Sequence, residues 1–521
     1  MRLKLSALFL STALATGFGA GALVLSMPVA PVAMAQDAAL QAGEVDVDTL
    51  LKLLPPDVKA TYGSKSYDAL TGVTTIRNLK IADATAEAAN YLAVEEVGLR
   101  GLDLAAFEHV FDFSKYGPTR DETFKQLFGD VTVRKASIVA ESKTVGGVEQ
   151  ITFGGVQMKQ LQNLPPGQGG VTESDVNNFK FIGALLDSII SGPLEVTNFT
   201  VEAEGNKSSI AKATMGGITR GQFGPSSLEN FEASSEGSFV KIASSAGDGG
   251  DFSKALPWMI KGELPPVAPD PLLYIGGGKA TGIDYDIEGI KVTIAEYSIS
   301  PVNFFWLVPS TFKLDIVDLV VTPPAVDNGS GFTVAELQKL GIDRLDLDFG
   351  LDWAMDATAG TAQLKELRIQ ESQLVDATLA IDLNGINLAQ LIDPSMSQMS
   401  MMQIGLTYAK FFLKNNGGVE KMLNLAAQEE GSTPDALKQQ AMDQLTQLEA
   451  GVPGPDGAPK PPSDRVKSII AALKSFIQSP GTLTVTVQPA SPVTATTGMG
   501  AMFDPFSAPD TLGVTVESTG K

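Results

Sequence analysis

The chain contains no cysteine and a single histidine, His109, and these two shortages remove whole classes of chemistry. Without cysteine there can be no disulfide, no thiolate nucleophile and no lipidated N-terminal cysteine. A zinc site loses its usual sulfur and imidazole donors. A Ser-His-Asp triad would have to use His109, and no G-x-S-x-G elbow accompanies it. The surrounding Leu104, Phe107, Val110 and Phe111 fit a short helix with Glu108 and His109 on its wet side. Cations are scarce too: 38 Lys and Arg stand against 60 Asp and Glu, a formal charge of −22. Nucleic acid, which needs clustered Lys and Arg, is excluded as a partner.

Charge is missing altogether between Lys4 and Asp37. Arg2 and Lys4 precede a long apolar run that ends in Ala33-Met34-Ala35, the small-x-small pattern of a signal-peptidase site. This places cleavage between Ala35 and Gln36 and the mature protein in the periplasm. The run is also long enough to span a bilayer, so a retained anchor is the second reading. Charges interrupt every later apolar stretch, which predicts no integral membrane span after cleavage.

What is present is alternation. LDLDFGLDWAMD, residues 345–356, puts Asp346, Asp348, Asp352 and Asp356 at even positions and apolar residues at odd ones. Side chains two apart on a strand lie on one face, roughly 6.6 Å apart. A calcium ion needs about six to eight oxygens, more than one strand supplies, so the aspartates read as a solvated face. TAQLKELRIQES and VDATLAIDLNG continue the pattern after short polar turns, which predicts an antiparallel meander. VTIAEYSIS and STFKLDIVDLVV belong to the same style, while LEVTNFTVEAEG and SFVKIASSAG read as short strands in a less regular middle, separated by glycine-rich turns. Helical spacing appears in SDRVKSIIAALKSFIQ, with Ser463 or Asp464 as cap, and in STPDALKQQAMDQLTQLEA, capped by Ser432 or Thr433. IGLTYAKFFLKNNGGVEKMLNLAAQ reads as two helical pieces broken at Asn415–Gly418.

The expected fold class is therefore α+β and β-dominated: twisted antiparallel sheets, elongated or sandwich-like, with a helical section near the C-terminus. The expected divisions are a signal peptide over 1–35, a β-rich domain with short helices over 36–185 and a glycine-rich β segment over 186–268. The meander over 269–392, a helical section over 393–450, a Pro/Gly linker over 451–463 and a helix with terminal strands over 464–521 complete it.

Motifs that carry chemistry are few. YIGGGKATG fails as a phosphate loop, because Ala280 stands where Ser or Thr is needed and Leu273 where the first glycine is needed. VDNGSGFTVAEL fails as an EF-hand, and Thr333 with Glu336 instead forms a capping box. Two stretches stand out. SMSQMSMM clusters Met396, Met399, Met401 and Met402, thioethers of the kind that suit Cu(I), although a flexible apolar patch explains them as well. NFFWLVPSTF concentrates Phe304, Phe305 and Trp306, which form either core or an apolar contact patch. No catalytic residues and no cofactor are indicated.

LVPSTFKLDIVDLVV, LQKLGIDRLDLDFGLDWAMDATAGTAQLKELRIQ and FIQSPGTLTVTVQPASPV resemble uncharacterised exported β-rich envelope proteins of Gram-negative bacteria. More loosely, the chain is similar to AsmA-like and YdgA-like envelope proteins. The AsmA-like resemblance implies an elongated sheet with an apolar groove, associated with lipid traffic. The expected function is a non-enzymatic periplasmic protein that holds lipid tails or an envelope partner on an apolar sheet face. A scaffolding protein without a ligand and a carboxylate-dependent hydrolase of envelope polymer are the alternatives. Expression with the leader intact is expected to give a protein whose N-terminus, read by intact mass, is Gln36; a chain that keeps Met1 and fractionates with membrane would establish the anchor instead.

Overall fold

The computed structural model describes residues 43–52, 58–83, 90–111, 121–161, 171–203, 205–263, 271–305, 308–326, 333–393, 395–453, 459–502 and 507–520. The leader and its cleavage site lie outside them. By backbone contacts the chain forms two compact units, one from 1–283 with 301–307 and one from 284–300 with 308–521. Both are β-dominated, and every strand pairing described below is antiparallel.

In the first unit, β1 (Val58–Thr61) and β2 (Ser64–Asp68) both pair with β3 (Val73–Asp83). The ladder continues through β4 (Tyr91–Arg100), β5 (Lys125–Ala140) and β6 (Lys143–Met158). There it divides, because β6 pairs with both β7 (Ile189–Ser191) and β8 (Leu194–Ala203). From β8 it runs to β9 (Asn206–Met215), and from β7 to β10 (Ile218–Thr219) and β11 (Gln222–Phe223). The first branch runs on through β12 (Ser226–Ser235) to β13 (Ser238–Gly247). The second reaches β14 (Gly250–Asp251) and β15 (Leu273–Ile275). The chain enters the second unit along β16 (Gly278–Ile287) and β17 (Ile290–Ile299), then returns for β18 (Val302–Phe305), which pairs with β15.

Helices and the segment before the first of them complete two of this unit's buried clusters, while a third, around Phe199, is built from strands alone. Val45 and Val47 seal Ile76, Leu79, Val94 and Val97. Ala106 and Val110, from the helix Leu104–Phe111, cover Leu127, Val156 and Met158. His109 sits on that helix with its Nε2 3.1 Å from Asp121 Oδ2, and its side chain is 41% exposed, on the wet side as its spacing predicts. At the end of the helix Val171–Ser188, Asp187 is nearly buried between two cations, Lys159 at 2.8 Å and Arg220 at 2.8 Å. Lys159 is itself buried and also meets Glu122 at 2.9 Å, so neither buried charge depends on a single partner.

Several long strands carry a feature that alternation does not announce. Asn78, Lys135, Asn198 and Asn230 have φ of 54, 49, 51 and 49°, the left-handed region in which an ordinary side chain costs about 1–2 kcal/mol. Each sits in mid-strand where one rung of the ladder is missing; the register passes from Arg77↔Glu96 to Leu79↔Val94, for example. The missing rungs fall in line from β3 to β12. Side chains stitch the line instead: Lys135 pairs with Glu95 at 3.0 Å, and the Asn198 amide donates to Glu149. Asparagine occupies three of the four positions because its short amide tolerates this backbone.

The second unit begins at Asp284, within β16, and after β19 (Val308–Pro309) is a meander. β20 (Thr311–Thr322), β21 (Leu345–Asp356), β22 (Thr361–Glu371) and β23 (Val375–Asn384) pair in sequence, as the three alternating runs predicted. β24 (Gly405–Asn415) follows β23; β25 (Val452–Pro453) and β26 (Pro459–Lys460) form a separate ribbon. β27 (Thr482–Val487) then joins β24, β28 (Val493–Thr494) pairs with the start of β24, and β29 (Val514–Thr519) pairs with β27. The helices Pro434–Ala450 and Asp464–Gln478 form as expected, capped by Thr433 and Ser463, whose hydroxyls accept from Ala436 N and Val466 N. Thr333 caps the helix Val334–Lys339 in the same way.

One expectation is overturned. Within the helical section assigned to 393–450, the apolar run GLTYAKFFLKN is strand β24, and only Gly418–Glu430 of that stretch is helical. Its apolar residues suit either period, and pairing on both sides, to β23 and β27, decides for strand.

Asn230 is exposed on β12, so it isolates the backbone effect. Asn230→Val should lower stability by about 1–2 kcal/mol in chemical denaturation, although strand propensity alone favours valine. Asn230→Gly should leave stability nearly unchanged. A stabilised valine variant would show that the left-handed residue is not required.

Candidate functional site

The registers of the second unit align its apolar side chains into rows that cross the strands. One row reads Ile299, Leu314, Leu351, Leu367, Leu379, Phe411, Val485 and Val516, one residue from each of eight strands. A second runs from Tyr297 through Ile316, Phe349, Ile369 and Ala377 to Leu413 and Leu483. A third runs from Phe312 and Trp353 through Leu364, Ile381 and Ala409 to Val487 and Val514. Bulges in β20 and β22 shift the sequence parity without breaking these rows. At about 4.8 Å per strand and roughly 6.6 Å per row, the face covers on the order of 400 Å².

None of these row residues is fully buried, and Ile369 is 43% exposed. In the first unit strand residues such as Ile76, Leu127, Val196 and Leu228 are buried in compact clusters. Here the helix Asp464–Gln478 packs against β29 at the end of the rows, and the row residues stay half-open to solvent. Contiguous apolar area of this size marks a contact surface. Burial pushes the Tyr297 phenol above its ordinary range, consistent with a hydroxyl held in apolar surroundings.

At the margin of the face, in line with Leu347 and Val375, stands Glu371. It is 2% exposed; its Oε2 accepts from Gln373 N at 2.8 Å, and its Oε1 meets no partner among the described residues. The neighbouring Asn415 is buried as well, accepting from Gly417 N and Val419 N and donating to Glu420. This polar knot ties the end of β24 to the helix Gly418–Glu430.

The opposite face is charged and internally paired. Asp315 meets Arg368 at 3.4 Å, Asp352 meets Lys365 at 3.8 Å and Asp376 meets Lys414 at 3.2 Å. The four aspartates of the 345–356 run have separate partners. Asp346 faces Arg344, Asp348 accepts from Asp318 N in the β20 bulge, Asp352 faces Lys365, and Asp356 accepts from Thr358 N and Ala359 N. Asp318 itself has φ 52°, so Asp348 secures a strained turn. An open depression of about 400 Å³ on this face is lined by Lys365, Glu366, Thr378, Lys410 and Phe412, among others. Another of about 480 Å³, in the first unit, surrounds Arg220 and Asp187. There the carboxylate is already held by two cations and is not a free base. Among the described residues no group of three or more His, Asp or Glu converges on a metal position.

The residues singled out from sequence fall elsewhere. Phe304 and Phe305 lie half-buried on β18 of the first unit, Phe304 opposite Leu273, and Trp306 lies outside the described residues. Met399, Met401 and Met402 lie on the short helix Ser397–Gln403, and Met396 stands at its N-cap. The rows themselves were missed as a site. Each strand showed an apolar side in sequence, but only the registers reveal that all eight sides coincide. Among the described residues no helix is long and apolar enough to cross a membrane.

Comparison with known proteins adds little chemistry. A family model described as an uncharacterized protein matches residues 368–519, from β22 to β29, so that stretch is similar to the family. No curated protein and no solved structure matches the chain.

The phenol predicts a pH response. A raised phenol pKa means folding favours the neutral form. The stabilisation is present below the ordinary value near pH ~10 and is lost as pH rises through the folded one. Ultraviolet titration of phenolate should show tyrosines that ionise late, and Tyr297→Phe should remove part of that late absorbance. An unchanged titration would mean that Tyr297 is solvated.

Proposed function

We propose that the protein is an exported, non-enzymatic envelope component whose second unit holds lipid acyl chains on its open sheet face. One observation carries the reading: eight successive strands present an unbroken apolar row, none of it buried. Each methylene moved from water onto such a surface contributes up to ~0.8 kcal/mol. About ten of them offset the ~8 kcal/mol of a micromolar complex before ordering costs. The acidic balance of the chain favours a zwitterionic or neutral headgroup left in solvent over an anionic one held at the protein surface. The looser AsmA-like resemblance, an apolar sheet groove linked to lipid traffic, agrees with this reading.

A scaffold is the second reading, and one feature favours it. The helix Pro434–Ala450 has no buried residue, so most of its surface is open to a partner. A hydrolase finds less support, because the most buried carboxylate beside a depression, Asp187, is neutralised by Lys159 and Arg220.

Native mass spectrometry with lipid extraction on the periplasmic protein decides between them. Wild type should carry phospholipid near one per chain, and the double variant Leu351→Thr, Leu379→Thr should lose most of it. Threonine keeps strand propensity, so folding should survive the exchange. A lipid-free wild type, or a variant that carries lipid as well as wild type, would sink the acyl-chain reading.

A further inference from the structure

Arg220 sits where the backbone does not welcome it. It opens the two-residue turn between β10 and β11 with φ 47°, and Gly221 follows at φ 80°. Glycine, asparagine and aspartate take such a turn position readily, whereas a bulky side chain there is an outlier. A position that disfavours its residue and still holds it points to a use for the side chain. Part of that use is visible: Nη2 and Nε donate to Asp187 Oδ1 at 2.8 and 3.3 Å. This pairing fixes the guanidinium, yet the side chain stays 54% exposed, and Nη1 makes no hydrogen bond among the described residues.

Arg220 also lines the depression of about 480 Å³ in the first unit, a volume within the ~300–1,000 Å³ of small-molecule sites. Two further polar lining residues are held in the same manner. Asp251 Oδ1 accepts from Ser253 N at 2.8 Å, and its Oδ2 accepts from Gln222 Nε2 at 3.2 Å. One carboxylate therefore positions Gln222 and Ser253, as another positions Arg220. The helix Leu256–Lys261 adds an apolar wall of Leu256, Pro257 and Ile260. A fixed polar group beside an apolar wall is how a concave site orients a small amphiphile.

We propose that this depression binds a small monocarboxylate with a short aliphatic chain. The carboxylate meets the free edge of the Arg220 guanidinium, and the chain lies along Leu256, Pro257 and Ile260. The planar fork of a guanidinium matches a planar carboxylate. Arg220 is the one cation in the lining, and Lys159 behind it is engaged by Asp187 and Glu122. A single guanidinium suits one negative charge and leaves a phosphate dianion half-neutralised. The acidic chain repels free anions, so the apolar wall is needed as well, and an anion without a chain binds poorly. The site is independent of the acyl-chain reading, which concerns the second unit.

The test uses the full chain with sodium hexanoate as probe, read by calorimetric titration and by saturation-transfer NMR. Wild type should bind hexanoate in the millimolar range or tighter, and hexanol and acetate at least tenfold more weakly. R220K keeps the charge and loses the fork, and should weaken hexanoate at least tenfold. P257D sets a carboxylate in the lining and should abolish binding. Pro257 is exposed and lies in the first turn of its helix, where an acid is favourable, so circular dichroism should be unchanged. Should R220K fail to fold, P257D carries the test. No hexanoate binding to wild type would overturn the site, as would hexanol bound as tightly as hexanoate or full affinity in either folded variant.

Discussion

Cross-strand hydrogen bonding between long antiparallel neighbours is the constraint on which the rest of this structure depends. With no cysteine and no metal cluster among the described residues, nothing covalent fixes one strand against the next. The ladders do that work, and the side chains follow from them. Once β21 is in register with β20 and β22, Leu351 must stand between Leu314 and Leu367, and Asp352 beside Lys313 and Glu366. A slip of one residue would exchange the two faces. The ion pairs on the charged face, Asp315 with Arg368 and Asp376 with Lys414, oppose that slip from one side. The apolar rows oppose it from the other.

The two units solve the covering of a sheet differently. The first folds short helices onto its strands around Ile76 and Leu127 and closes a third cluster, around Phe199, from strand residues alone. It also accepts a line of missing rungs, held by left-handed asparagines and by a lysine–glutamate pair. In the second unit the residues of the meander stay half-open, and the buried apolar positions are few, Met355 and Ala362 among them. An open face costs stability that a covered one would keep, and a ligand or partner that closes it recovers that difference by mass action. This asymmetry ties the architecture to the proposed use of the second unit.

Much of this was legible from alternation and capping. The runs at 345–356, 361–371 and 375–384 predicted their strands, and Thr333, Thr433 and Ser463 predicted three helix starts. Gly276 and Gly277 of YIGGG lie between β15 and β16, and Gly278 opens β16, as a turn between strands predicts. The run at 405–415 was misread as helix because aromatic and apolar residues there suit both periods; its two neighbouring strands settled the matter. The left-handed residues at Asn78, Asn198 and Asn230 left a faint signal, asparagine inside a strand, whereas Lys135 left none. Met399, Met401 and Met402 show the converse: the cluster was plain in sequence, but its exposure to solvent was not.

The sequence by itself determined the element types over most of the chain, the absence of thiol chemistry, the acidic surface and the two-faced character of each strand. These follow from composition and from periodicities that act over a few residues. Tertiary structure decided which strands became neighbours, and with that the coincidence of eight apolar sides in one open face. It also decided the burial of Lys159 with Asp187 and the pairing of Arg220 with that same carboxylate. Register and contact join residues tens to hundreds of positions apart, and no local pattern encodes which distant partner a strand or helix will find.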